Sequence, residues 1–148
     1  MAEAILKGVL AAKLAGPEDI SVGEPMAARR DLLSGEHGGV GTENNLDAIK
    51  GADLVVLAIK PQDLPTLFGQ MNGKLDSGQT AISIIAGAKM ASLAQGLNHA
   101  AIIRVMPNTP AAVRRGMSVL CANGHATQVQ RDLCTDLMAA VGDTAWLG

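Results

Sequence analysis

The chain has 148 residues, 48% of them apolar, 18% charged, with a formal net charge of −2. That is enough for one domain with a proper core, and it excludes a disordered polypeptide. The slightly acidic balance lacks the basic excess of a nucleic-acid binder, and one Trp, one Phe and no Tyr leave little to stack on bases.

The core must therefore be built from Ala, Val, Ile, Leu and Met, which suits helices laid on a sheet of small β-branched residues. No apolar run approaches the roughly 20 residues needed to span a bilayer. Glu3, Lys7 and Lys13 interrupt any signal-peptide core, so a soluble cytoplasmic protein with no membrane partner is expected. Cys121 and Cys134 are too few for a disulfide framework and read as buried, reduced thiols. His37, His99 and His125 show no metal-ligand spacing, and no metal is expected.

In chain order, Ala2, Ile5, Leu6, Val9 and Leu10 form one apolar helical face, stopped by Gly16-Pro17. No capping residue precedes that face. A short strand over Asp19–Val22 closes at Gly23, and Pro25 opens a helix through Ala28, Leu32 and Leu33. Residues 35–41, GEHGGVG, form a Gly-rich turn with at most a very short strand at Val40, and a short helix runs from Asn45 to Lys50. Asp53–Ile59 is the clearest strand, an apolar run covered on both faces and ended by Lys60-Pro61. A helix follows over Leu64–Met71, then a buried strand over 79–87 and a helix from Lys89 to Leu97. A third such strand, 100–106, stops at PNTP. The chain ends with a run over Met117–Ala122, a helix over Thr127–Ala140 and a last strand over Ala145–Leu147.

This alternation with short loops predicts an α/β, Rossmann-like, doubly wound and mostly parallel sheet forming one domain over 1–148. Ligands of such sheets bind beyond the carboxyl ends of the strands. Four places qualify: Gly23-Glu24, Ala58-Ile59-Lys60-Pro61, Ile85-Ala86-Gly87, and Met106 to Pro110. Glu24 stands where an acidic residue holds a ribose hydroxyl of NAD, and Arg29 and Arg30 stand where a cation takes the 2′-phosphate of NADP. No hydrolytic constellation is present. Lys60 reads either as a base or as strand-end punctuation. Asn108, between two prolines, either orients a ligand amide or turns the chain.

The segment AIIRVMPNTPAAVRRGMSVL (101–120) resembles the Arg-x-Met-Pro-Asn-x-Pro stretch of the pyrroline-5-carboxylate reductases. NLDAIKGADLVVLAIKP (45–61) and SIIAGAKMASLAQGL (83–97) are similar to two further stretches of that family, in the same order. The resemblance implies hydride transfer from NADPH or NADH to the C=N bond of 1-pyrroline-5-carboxylate, giving L-proline. It implies that Asn45 faces the adenosine ribose and that Gly23 and Glu24 adjoin the 2′-hydroxyl or 2′-phosphate. Ala58, Ile59, Lys60, Pro61, Ile84, Ile85 and Ala86 would line the dinucleotide, with Asn108 and Pro110 beside the nicotinamide.

Two departures from the family pattern follow. The family's first strand and Gly-rich turn, I-G-x-G-N-M-A-x-A-I, are represented here only by MAEAI, so the first strand is absent from the expected sheet. An all-helical domain that supplies the dimer interface of a homo-oligomer is also absent from these residues. A gap between Ile20–Val22 and Asp53–Ile59 is therefore expected, and the isolated chain is expected to be a poor reductase. Alternatives are another Rossmann-type reductase, such as a β-hydroxyacid dehydrogenase or a deazaflavin-dependent NADP reductase, and a non-catalytic nucleotide- or partner-binding domain.

Overall fold

The computed structural model describes residues 2–38, 41–107 and 116–147. Among these residues there are six α-helices: α1 (Ala2–Ala11), α2 (Ala27–His37), α3 (Asn45–Ala48), α4 (Leu64–Met71), α5 (Met90–Leu97) and α6 (Gln128–Ala139). Seven strands accompany them: β1 (Val22–Gly23), β2 (Gly41–Thr42), β3 (Leu54–Leu57), β4 (Thr80–Ser83), β5 (Ile102–Met106), β6 (Gly116–Ala122) and β7 (Gly142–Trp146). The alternation is that of a Rossmann-like α/β fold.

The strands form two sheets, a parallel pair β1-β2 and a five-stranded sheet in the order β3-β4-β5-β6-β7. All pairings in the larger sheet are parallel except β5-β6, which is antiparallel. Among the described residues no strand stands between β1 and β3, the interval anticipated from the sequence. Helix α1 straddles it. Ile5 and Val9 pack with Ile82 and Ile103 of the larger sheet, whereas Leu6 packs with Leu33, beside Val22 of the smaller one.

Side chains alternate across the larger sheet as the strand period requires. Ile82, Ile103 and Val105 face α1 and α6, while Val55, Leu57, Ala81 and Ile102 face α4 and α5. On β3 the burial alternates, with Val55 and Leu57 buried and Leu54 and Val56 half-covered. The half-covered face is the α1 side, and β3 is one of the two edge strands of this sheet among the described residues. Gly8 lets α1 approach α6 closely: a Cβ there would stand 2.6 Å from the Ala140 carbonyl oxygen.

Several local expectations are corrected. Helix α1 ends before Gly16, because Lys13 turns left-handed at φ 58°. The amide of Lys13 then donates to the Leu10 carbonyl and that of Leu14 to Val9, closing the helix in a Schellman turn. Asp19–Val22 is not a strand throughout. Pro17, with its fixed φ, opens a 3₁₀ turn over Pro17–Asp19 after Gly16, leaving Val22–Gly23 to pair with Gly41–Thr42. Residue 40 lies outside the described residues. The last strand begins earlier than expected, at Gly142, because its register against β6 starts at Gly116.

Candidate functional site

The carboxyl ends of β3 and β4 lie level. Leu57 pairs with Ser83, and the amide of Ile84 donates to the Leu57 carbonyl at 3.2 Å. Buried Ser83 shapes the exit from β4: its Oγ accepts from the amide of Ile85 at 3.2 Å. Ile85 turns into the α4–α5 core, and Ala86 and Gly87 emerge exposed. Gly87 has φ +74° and nothing within 4 Å of a built Cβ. Across the sheet Ala58 is exposed, Ile59 half-buried, and Lys60 and Pro61 exposed, with Lys60 leading into a 3₁₀ turn over Pro61–Asp63. Ala58, Ala86 and Gly87 together make a ledge of small residues. Lys60 on it is a solvent-facing amine, without the apolar enclosure that activates a lysine nucleophile.

In the smaller sheet β1 ends at Gly23, and Glu24 follows it. The amide of Glu24 donates to the Thr42 carbonyl at 2.8 Å, and its carboxylate accepts from the amide of Met26 at 3.2 Å. Arg30 donates from Nη1 to the carbonyl oxygens of Glu24 (2.8 Å) and Pro25 (2.9 Å), clamping the turn. Arg29 points elsewhere, donating from Nη2 to Glu3 at 3.1 Å. Both candidate phosphate-binding cations are thus engaged inside the chain.

Asn45 connects β1 to the helices. Asn44, not Asn45, caps α3, accepting from the Leu46 amide at 2.8 Å. That leaves the Asn45 side chain to press against Gly23 and to donate from Nδ2 to Gln70 of α4 at 3.0 Å. Asn108 and Pro110 lie outside the described residues. Met106 and Pro107 close β5 on its way to them, Met106 exposed.

A small cleft of about 80 Å³ lies beside Glu24, lined by Ala2, Glu3, Leu6, Val22, Arg29 and Leu33 as well. Partial burial pushes the Glu3 carboxyl up, but the hydrogen bond from Arg29 and the charges of Lys7 and Arg29 outweigh it and hold it below the usual range. Sequence reasoning missed Glu3 because two of its partners, Arg29 and His37, lie on α2, far along the chain. A larger hollow of about 230 Å³, lined by Leu46, Ile49, Lys50, Lys74, Asp76 and Gln79, sits at the opposite, amino-terminal end of β4. Among the described residues no helix is long and apolar enough to cross a membrane.

Residues 1–87 match the family model described as "NADP oxidoreductase coenzyme F420-dependent". The chain is 38% identical over 143 residues to a pyrroline-5-carboxylate reductase of Synechocystis sp., covering 97% of this chain and 53% of that protein. It is 36% identical over 145 residues to one from Pseudomonas aeruginosa, with the same coverage of each. The structure of a pyrroline-5-carboxylate reductase from Coxiella burnetii superposes with a TM-score of 0.94 at 30% identity, over 99% of this chain and 55% of that one. The chain thus spans about half the length of the curated relatives it matches.

Proposed function

The chain belongs to the family described as NADP oxidoreductase, coenzyme F420-dependent, and on that premise we propose that it is the dinucleotide-binding part of a pyrroline-5-carboxylate reductase. The observation that carries the reading is the similarity to two such reductases over 97% of these residues. The ledge at the ends of β3 and β4 supports it, since exposed Ala58, Ala86 and Gly87 leave room for a flat ligand against the backbone.

In this reading Gly23, Glu24 and Asn45 hold the adenosine side, and Ala58–Pro61 with Ile84–Ala86 line the dinucleotide. Asn108 and Pro110 adjoin the nicotinamide. When bound, NADPH or NADH supplies a hydride to the C=N carbon of 1-pyrroline-5-carboxylate, and L-proline results once the nitrogen carries its proton. The chain's residues act by position and exclusion rather than by acid–base chemistry. Arg30 fixes the Glu24 turn, Asn45 fixes α3 against it, and Ser83 fixes the exit of β4. With Arg30 spent on backbone carbonyls and Arg29 on Glu3, the acidic Glu24 weights the site toward NADH over NADPH. A cytoplasmic location and a homo-oligomer belong to the same reading.

The test is proline formation from 1-pyrroline-5-carboxylate by the protein expressed from its gene, with NADH and NADPH titrated by nicotinamide fluorescence. Ala86→Leu, on an exposed residue, should leave the thermal midpoint in place and weaken nucleotide binding at least ~10-fold, because it fills the ledge. Nucleotide binding unchanged in that variant overturns the site. The family model's description favours a second reading, an NADP reductase that exchanges hydride with coenzyme F420. Activity with that coenzyme and none with the cyclic imine would establish it instead.

A further inference from the structure

His37 closes α2 with its side chain only 10% exposed, yet its Nε2 has no hydrogen-bond partner. The atom faces two carboxylates, Glu36 Oε2 at 3.5 Å and Glu3 Oε1 at 3.9 Å. Neither contact is a hydrogen bond. The separations suit two ligands of one ion, because bonds of about 2.0–2.2 Å meeting at a tetrahedral angle place ligand atoms roughly 3.4 Å apart. One atom from each of the three residues lies within 4.8 Å of the others.

We propose that Glu3, Glu36 and His37 form a binding site for one borderline divalent cation of the zinc type, tying the first turn of α1 to the last turn of α2. The donor set, one imidazole and two carboxylates, is that of zinc rather than of calcium or magnesium, which take oxygen alone. Glu3 is arranged for the role. Arg29 occupies Oε2 at 3.1 Å, orienting the carboxylate as an outer hydrogen bond orients a metal ligand, while Oε1 faces His37. Lys7 lies 3.7 Å from Oε1, but its side chain is 58% exposed and free to swing into solvent. The charges of Lys7 and Arg29 limit the affinity to a moderate one, and water would take the fourth coordination position. This inference does not depend on the reductase reading.

The test is zinc titration by calorimetry on metal-stripped protein, with cobalt as a spectroscopic probe. One equivalent of zinc should bind and raise the thermal midpoint, since it binds the folded state. Cobalt should give ligand-field bands without thiolate charge transfer, because Cys121 and Cys134 are not in the set. His37→Ala and Glu36→Gln should each weaken binding at least ~10-fold. Glu36→Gln alters an exposed side chain, so it keeps the test decisive if His37→Ala fails to fold. His125→Ala should change nothing. Failure to bind one equivalent, or binding that survives Glu36→Gln, overturns the proposal.

Discussion

Asn45 stands so close over Gly23 that its side-chain oxygen occupies the place a Cβ would take, with its Cα 3.3 Å from that point. The contact ties the end of β1 to α3, and the Asn45–Gln70 hydrogen bond carries the tie on to α4. It is a link between the two sheets that does not pass through a strand. Gly23→Ala should therefore push Asn45 off Gln70 and destabilise the fold by about 1–3 kcal/mol. Asn45→Ala should cost less, about 1 kcal/mol for an exposed hydrogen bond. In the double variant the alanine at 23 finds space, so the two costs should not add. Urea unfolding of the four proteins measures the coupling. Strict additivity would show that the contact does not hold the turn.

Lys13 carries the Schellman turn that ends α1 at φ 58°, a conformation that costs a residue with a Cβ about 1 kcal/mol. Lys13 is exposed, so its side chain gives nothing back through packing. Lys13→Gly should stabilise the protein by about 0.5–1 kcal/mol, read as a higher urea midpoint at unchanged slope. A lower midpoint would mean that the chain's greater freedom when unfolded outweighs the relief of strain.

Gln79 is a buried hub at the amino-terminal end of β4. Its Nε2 donates to the carbonyls of Ile49 (2.6 Å) and Ala52 (2.8 Å), and its Oε1 accepts from the Asp76 amide at 2.9 Å. Its own carbonyl meets His99 Nε2 at 2.6 Å. Gln79→Ala strips partners from groups on three sides and should cost about 2–4 kcal/mol. Gln79→Glu keeps the shape but sets a carboxylate against two carbonyl oxygens, so it should be no milder. Thermal melts of both variants give the order.

The strands β3, β4 and β5 were legible in the sequence because each is an apolar run between breakers, although β3 is fully covered on one face only. The pair β1-β2 was not, since two residues each carry no periodicity and exist only through their mutual pairing. The antiparallel entry of β6 was also invisible, because strand direction is decided by the connection and not by the strand. At the candidate site, Gly23 and Glu24 could be placed by their strand end, but the residue pattern alone does not separate Asn44 from Asn45. Only the backbone shows which one caps α3 and which one reaches Gly23. Glu3 and His37 are 34 positions apart and meet through the packing of α1 on α2, so ligand spacing gave no warning of them.

Cys134 lies fully buried in the core between α6 and the larger sheet, and desolvation pushes its thiol up to about 12. Cys121 on β6 is only half-buried. At pH 8 a thiol reagent should therefore label Cys121 first in the native protein and reach Cys134 only on unfolding. The same burial sets a pH dependence. In the unfolded chain Cys134 loses its proton near its ordinary value of 9.0, whereas the folded chain retains it to about 12. Above that ordinary value the unfolded state binds fewer protons than the folded one, so stability falls as pH rises. Cys134→Ala should remove this alkaline slope while costing stability at neutral pH through the cavity it leaves. Urea midpoints measured from pH 7 to pH 10 separate the two effects, and a slope that persists in the alanine variant would assign it to another group.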